Sequence, residues 1–185
     1  MREAADQYPR LSDEEDRQYE AALKRWEARK VRRVLRKQYQ RLHKAMERLA
    51  ESDNICKLLM TAPGVGPMVA LSFRAGVDEP ARFSRSRSVP AHFGLTPSRY
   101  QSGEIDRDRG ISKCGDAGIR WVLVEAAGIL LRISKRSSPL KVWGLSVARR
   151  RGLAKATVAV ARRLAIILYR MWVDNTPYRW ETKAA

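Results

Sequence analysis

Leu58-Leu59-Met60-Thr61-Ala62-Pro63-Gly64-Val65-Gly66-Pro67-Met68-Val69-Ala70 joins two apolar segments through a Pro-Gly-x-Gly turn. Helix, glycine turn and second helix in this order form the pattern of a helix-hairpin-helix element. Its glycines let the backbone approach a phosphate, and the N–H groups at the start of the second helix face the anion. Gly64 and Gly66 are therefore candidate DNA contacts, of a kind that does not depend on base sequence. The same pattern also suits a turn that only packs two helices together.

Upstream the character of the chain is different. Ser12-Asp13-Glu14-Glu15 reads as a capping box, and no Gly or Pro follows until Pro63. Tyr19, Leu23 and Trp26, then Val31, Leu35, Leu42, Ala45 and Leu49, step mostly by threes, fours and sevens, with a phase break between Trp26 and Val31. A helix from Ser12 to near Glu51 would be about 60 Å long at 1.5 Å per residue, too long for one small domain to cover. A dimer partner would cover its apolar seam, and the competing arrangement is a helix folded back on its own domain. The expected organisation is a flexible tail over 1–11, an arm over 12–54, a helical domain over 55–173 and a tail over 174–185.

Downstream, Arg82 to Ser88 is rich in Arg and Ser. The segment from Phe93 to Asp116 is rich in turn formers and charge and is expected to be exposed and partly extended. Pro90 falls in what should be a short helix, where only a first-turn position suits it. Three helices then follow. Asp116 caps one that runs through Ile119, Trp121 and Ala126 to Ile133. Ser138, Pro139 and Gly152 frame a second as N-cap, first position and terminator. The third carries Val160, Leu164, Ile167 and Met171 on one face, with Lys155, Arg162, Arg163 and Arg170 mostly elsewhere. The fold class expected is all-α: a long N-terminal coiled-coil-like helix followed by a compact helical domain containing a helix-hairpin-helix element.

The 185 residues carry 37 Lys and Arg against 20 Asp and Glu, a formal charge of +17, and 44% are hydrophobic, so a folded domain with a polyanionic partner is expected. An anionic membrane surface and structural RNA share that charge logic with DNA. The longest apolar run, Leu164 to Tyr169, is far short of the roughly 20 residues a span needs, which disfavours a membrane protein. Met1 to Arg10 has no secretory-leader pattern, so the cytoplasm is expected, with Cys56 and Cys114 reduced. These cysteines and His43 and His92 have no zinc-ligand spacing. Between Glu125 and Asp174 there is no Asp or Glu, while Arg149, Arg150, Arg151, Lys155, Arg162 and Arg163 all lie there. Such an uncompensated block localises a nucleic-acid surface.

No spacing by itself marks an active site. Glu104, Asp106 and Asp108 alternate as metal ligands could, but Arg107 and Arg109 are interleaved, which favours a charge-balanced loop. Ser102, before Gly103, is by position an ordinary turn serine. A set of short runs in fixed order changes that weighting: Leu58-Leu59-x-x-x-Pro63-Gly64-Val65-Gly66, Phe93-Gly94-Leu95-Thr96-Pro97, Tyr100-x-Ser102-Gly103, Arg109-Gly110-Ile111-Ser112-Lys113-x-Gly115 and Arg120-x-x-Leu123-x-Glu125-Ala126-Ala127. Together they resemble the C-terminal domain of the IS-one-ten/IS-one-sixteen family of insertion-sequence transposases, over roughly Ile55 to Trp172, and the preceding helix looks like that family's coiled-coil arm. The resemblance implies a nucleophilic serine at Ser102 that works with an N-terminal RuvC-like nuclease domain, whose carboxylates bind divalent metal. No counterpart of that domain is evident in this chain, so no metal ligand and no cofactor is assigned here, and Mg2+ is expected only for the complete family enzyme. Arg99, Arg107, Arg109 and Lys113 are candidates, by sequence proximity, to neutralise charge at the phosphate. The resemblance also implies DNA as partner, a guide RNA that pairs with it, and assembly as a homo-oligomer or with an intact transposase.

Overall fold

Helix α1 (Asp13–Ser52) confirms the long helix expected from the uninterrupted stretch before Pro63. The structure, a computed structural model, describes the backbone of residues 13–102 and 105–180, and the side chains of all of these except 15 and 99–109. The chain divides into two compact units, residues up to Ala45 and residues from Met46 onward. In the first, the apolar residues Tyr19, Trp26, Leu35 and Leu42 are all exposed, Leu35 at 63% and Leu42 at 67%. Local contacts support the helix there: Lys24 pairs with Glu20 at 3.8 Å, and the Lys30 ammonium lies 5.0 Å from the Trp26 ring centre.

The second unit is built on helices. Asp53 ends the long helix and begins α2 (Asn54–Leu59): its carboxylate accepts from the Cys56 N–H at 2.9 Å and also pairs with Arg74 of α3 (Pro67–Val77) at 3.0 Å. One carboxylate thus caps α2 and ties it to α3. Cys56 beneath it is fully buried, and burial, followed by the Asp53 charge, pushes its thiol up to about 11, so it stays protonated and serves as packing. A 3-10 turn (Pro80–Arg82) and α4 (Ser88–His92) follow. Pro90 is the third residue of α4 and sits in its first turn, where a missing N–H costs nothing.

Helices α5 (Ala117–Arg132), α6 (Pro139–Arg151) and α7 (Leu153–Val173) carry the caps read from the sequence. The Asp116 carboxylate accepts from the Gly118 and Ile119 N–H groups, the Ser138 hydroxyl accepts from the Lys141 N–H, and Gly152 ends α6 at φ 83°. Helix α7 lies against α2, α4, α5 and α6. Its Val160, Leu164 and Leu168 are fully buried, each contributing about 1.5–3 kcal/mol by leaving water. Phe73 of α3 and Phe93 pack with ring centres 5.9 Å apart. The Tyr169 hydroxyl of α7 sits 3.0 Å from the Pro80 carbonyl and 2.9 Å from that of Phe83, fixing the turn that leads to the Arg-Ser stretch.

The segment expected as a C-terminal tail makes defined contacts as far as it is described. The Tyr178 N–H donates to the Thr61 hydroxyl at 2.9 Å, and the Arg136 guanidinium lies 3.8 Å from the Trp180 ring centre. Among the described residues, the departure from an all-helical body lies in the stretch expected to be partly extended. There β1 (Pro97–Ser102) pairs antiparallel with β2 (Ile105–Ile111), from Pro97 opposite Ile111 at the foot to Ser102 opposite Ile105, with a register shift between Pro97 and Arg99.

Candidate nucleic-acid interface

Ser102 is the last residue of β1 and pairs with Ile105, so the backbone carries it at the end of the two-stranded hairpin far from Pro97 and Ile111. The side chains of Ser102, Arg99, Arg107 and Arg109 lie outside the described residues, as do those of Glu104, Asp106 and Asp108. What can be built from the residues upward is how the hairpin is mounted.

Two glycines make the mount. Gly94 has φ +65°, and a Cβ there would stand 2.2 Å from the Cys114 carbonyl oxygen; Gly115 has φ +75°, and a Cβ there would stand 2.0 Å from the His92 carbonyl oxygen. Two chain segments therefore cross with backbone against backbone, a contact open only to residues without a side chain. The Ser112 N–H donates to the Thr96 carbonyl at 2.8 Å and the Lys113 N–H to the Gly94 carbonyl at 3.2 Å. Arg120 of α5 completes the clamp. Its guanidinium donates to the carbonyls of both Phe93 and Cys114 at 3.1 Å, so one side chain holds the two segments at the hairpin's foot to the helical body. The runs Phe93-Gly94-Leu95 and Gly115 to Arg120, separated in sequence, are thus one structural joint.

Lys113 is exposed next to this joint, at φ 58°. Arg149, Arg150 and Arg151 are exposed in the last turn of α6, where positive charge also suits the helix dipole. Lys155, Arg162 and Arg163 are exposed on α7. The foot of the hairpin, Pro97 and Ile111, shares grooves with Arg151, Lys155, Arg162 and Arg163, so the structure brings the basic helices of the sequence reading together with the segment that carries Ser102.

Gly64 stands apart. At φ +79°, its absent Cβ leaves room for the Ala126 carbonyl oxygen of α5, 2.6 Å from where a Cβ would be, so packing against α5 accounts for a glycine there. Gly66, the N-cap of α3, opens on free space and keeps the room that approach to a phosphate needs. Sequence reading missed Arg120 as a clamp, along with Arg87 and Trp143, which line the groove on α7. Trp143 and Arg163 meet across α6 and α7, with no sequence spacing to announce it.

The metal that the family resemblance implies does not fit the described residues: no three His, Cys, Asp or Glu among them are grouped to hold an ion. No helix among the described residues is long and apolar enough to cross a membrane.

Residues 56–141 match the family described as Transposase IS116/IS110/IS902. The chain is 34% identical over 135 residues to the transposase for insertion sequence element IS1111A of Coxiella burnetii, an alignment that covers 72% of this chain and 37% of that protein. It is 28% identical over 140 residues to the transposase for insertion sequence element IS1328 of Yersinia enterocolitica, covering 75% and 41%. The chain therefore spans about 37–41% of the length of these curated relatives.

Proposed function

Residues 56–141 make this chain a member of the IS116/IS110/IS902 transposase family, and from that premise we propose that it is the DNA-holding C-terminal part of an insertion-sequence transposase with Ser102 as its nucleophile. One observation carries the reading: exposed cations of α6 and α7 share grooves with the foot of the hairpin whose far end bears Ser102. Cations there grip phosphates and release counterions, while the hairpin presents the hydroxyl.

In the reaction proposed, the Ser102 oxygen bonds to phosphorus, a bridging P–O bond of the DNA strand breaks, and the hydroxyl proton ends on the released sugar oxygen. One phosphodiester replaces another, so the link can be resolved by a second strand. Arg99, Arg107, Arg109 and Lys113 would offset the charge that builds on the phosphorus centre. A serine hydroxyl is a weak nucleophile without activation. Because the family resemblance places the metal-binding carboxylates in a separate nuclease domain, cleavage is assigned to the complete assembly and DNA holding to this chain. A guide RNA would be a second polyanion for the same basic helices.

Duplex binding measured against salt tests the reading. The binding constant should fall steeply from 50 to 200 mM salt. Replacing Arg149, Arg150 and Arg151 together by Gln should flatten the logarithmic slope by about 0.9 for each phosphate that is no longer neutralised. Duplex binding indifferent to salt would sink the proposal.

A second reading, a regulator that pairs through α1 with another copy or with an intact transposase, is favoured by the exposure of Leu35 and Leu42 on that helix. The chain should sediment as a dimer at micromolar concentration, and Leu35→Glu with Leu42→Glu should give a monomer whose body melts unchanged. A parent chain already monomeric would rule pairing out.

A further inference from the structure

The face of α7 beside the hairpin foot holds a groove of about 590 Å³, within the size range of small-ligand clefts. Its floor is apolar: Leu95 is fully buried, and Val158, Ala159 and Ile166 are half-buried. Its rim is cationic, with Arg87, Lys155, Arg162 and Arg163 all exposed. Trp143 closes one side, its ring lying 4.6 Å from the Arg163 guanidinium. A second groove, of about 530 Å³, shares Pro97, Ile111, Lys155 and Val158 with the first and continues to Gly110 and Arg151. From Ala154 to Ile166 along α7 the two extend about 18 Å at 1.5 Å per residue, room for about five stacked nucleotides.

We propose that this channel binds an unpaired DNA strand, with bases on the apolar floor and phosphates on the Arg87, Lys155 and Arg162 rim. The inference rests on the DNA-holding function proposed above and adds the state of the DNA held. A duplex turns its phosphates outward and keeps its bases stacked inside, so it would use the rim and leave the recessed apolar floor in water. An unpaired strand uses both, and the Trp143–Arg163 pair offers the ring and guanidinium planes on which bases stack.

Among the described residues that line the two grooves, none is acidic and none has a hydroxyl or amide side chain. Stacking and phosphate contacts of this kind are tolerant of base sequence. Pro97 and Ile111 line both grooves and are the paired foot of the hairpin. From Pro97 to Ser102 along β1 is about 17 Å at 3.3–3.4 Å per residue, or about five nucleotides of stacked strand. The channel would hold a strand opened a few nucleotides from the phosphate that Ser102 attacks.

The test uses the full chain with labelled 20-nucleotide oligothymidylate, the matching oligouridylate and a 20-base-pair duplex. Trp143→Ala should weaken oligothymidylate binding about tenfold and duplex binding less than about threefold, a stacking effect. Val158→Glu, at a half-buried groove position, should repeat that split. Since Trp143→Ala could disturb folding, photocrosslinking of bromodeoxyuridine-substituted strand to the unaltered chain gives an independent readout, with adducts expected at Trp143 or within 153–166. Equal losses for strand and duplex, or crosslinks confined to other segments, would overturn the proposal. So would oligouridylate binding tenfold tighter than oligothymidylate, which would assign the channel to RNA. Duplex binding without strand binding removes the channel alone, whereas binding to neither removes the DNA-holding function as well.

Discussion

Ser102→Ala is expected to abolish covalent protein–DNA adduct formation and strand transfer when the chain acts with the nuclease half of the family enzyme, while duplex affinity stays within about twofold because the positioning contacts are elsewhere. Ser102 is the end of β1, its paired residue is Ile105, and the residues flanking it in sequence are Gln101 and Gly103, none of which carries a hydroxyl. Removing the attacking atom in covalent catalysis deletes the step, so the loss should be measured in orders of magnitude. The assay is incubation with element-end DNA and magnesium, followed by denaturing gels for the adduct. An adduct that survives Ser102→Ala would move the nucleophile elsewhere. An adduct formed by the present chain alone, and abolished in Ser102→Ala, would overturn the assignment of cleavage to the larger assembly.

Gly115→Ala and Gly94→Ala should each destabilise the body by about 4 kcal/mol, from left-handed strain of about 1–3 kcal/mol and overpacking of similar size. In each case the new Cβ would meet backbone, the His92 carbonyl at 2.0 Å or the Cys114 carbonyl at 2.2 Å, and backbone cannot step aside as a flexible side chain can. Relief would pull apart the joint that Arg120 clamps at Phe93 and Cys114, so the hairpin mount should loosen before the α5–α7 core does. Denaturant unfolding measures the loss, and amide exchange at Ser112 and Lys113, whose N–H groups bond across the joint, locates it. Gly66→Ala is the control: with nothing within 4 Å of its Cβ position and φ at −101°, it should cost no more than about 1 kcal/mol, the scale of losing a favoured N-cap residue. A loss below about 1 kcal/mol at both Gly94 and Gly115 would mean the crossing is looser than its geometry indicates.

Much of the helical body was legible because its signals are local. Asp116 and Ser138 satisfy N–H groups three residues on or nearer, and Gly152 supplies the positive φ that ends α6, all within one turn of chain. The apolar spacing of α7 likewise identified its buried face, since Val160 and Leu164 repeat at helical period. The hairpin was harder to read. A two-stranded ribbon whose second strand carries four consecutive charged residues, Asp106 to Arg109, has no one-sided apolar pattern, and Glu104-Ile105-Asp106-Arg107-Asp108 looks like loop for that reason. The run of family motifs singled out Ser102, but it did not indicate that Arg120, many residues later, would be a clamp beneath the hairpin.

Sequence by itself determined the helix limits, the long arm, the family and the basic block free of Asp and Glu between Glu125 and Asp174, because capping, periodicity, motif order and charge are properties of neighbouring residues. Only the tertiary structure decided which cations share a groove with the hairpin foot, why Gly64 is filled by the Ala126 carbonyl, and how Gly94 and Gly115 bring two segments into backbone contact. Those are meetings between residues distant in the chain. They depend on the packing of α4, α5 and α7 around one core, whose close approaches no local pattern encodes.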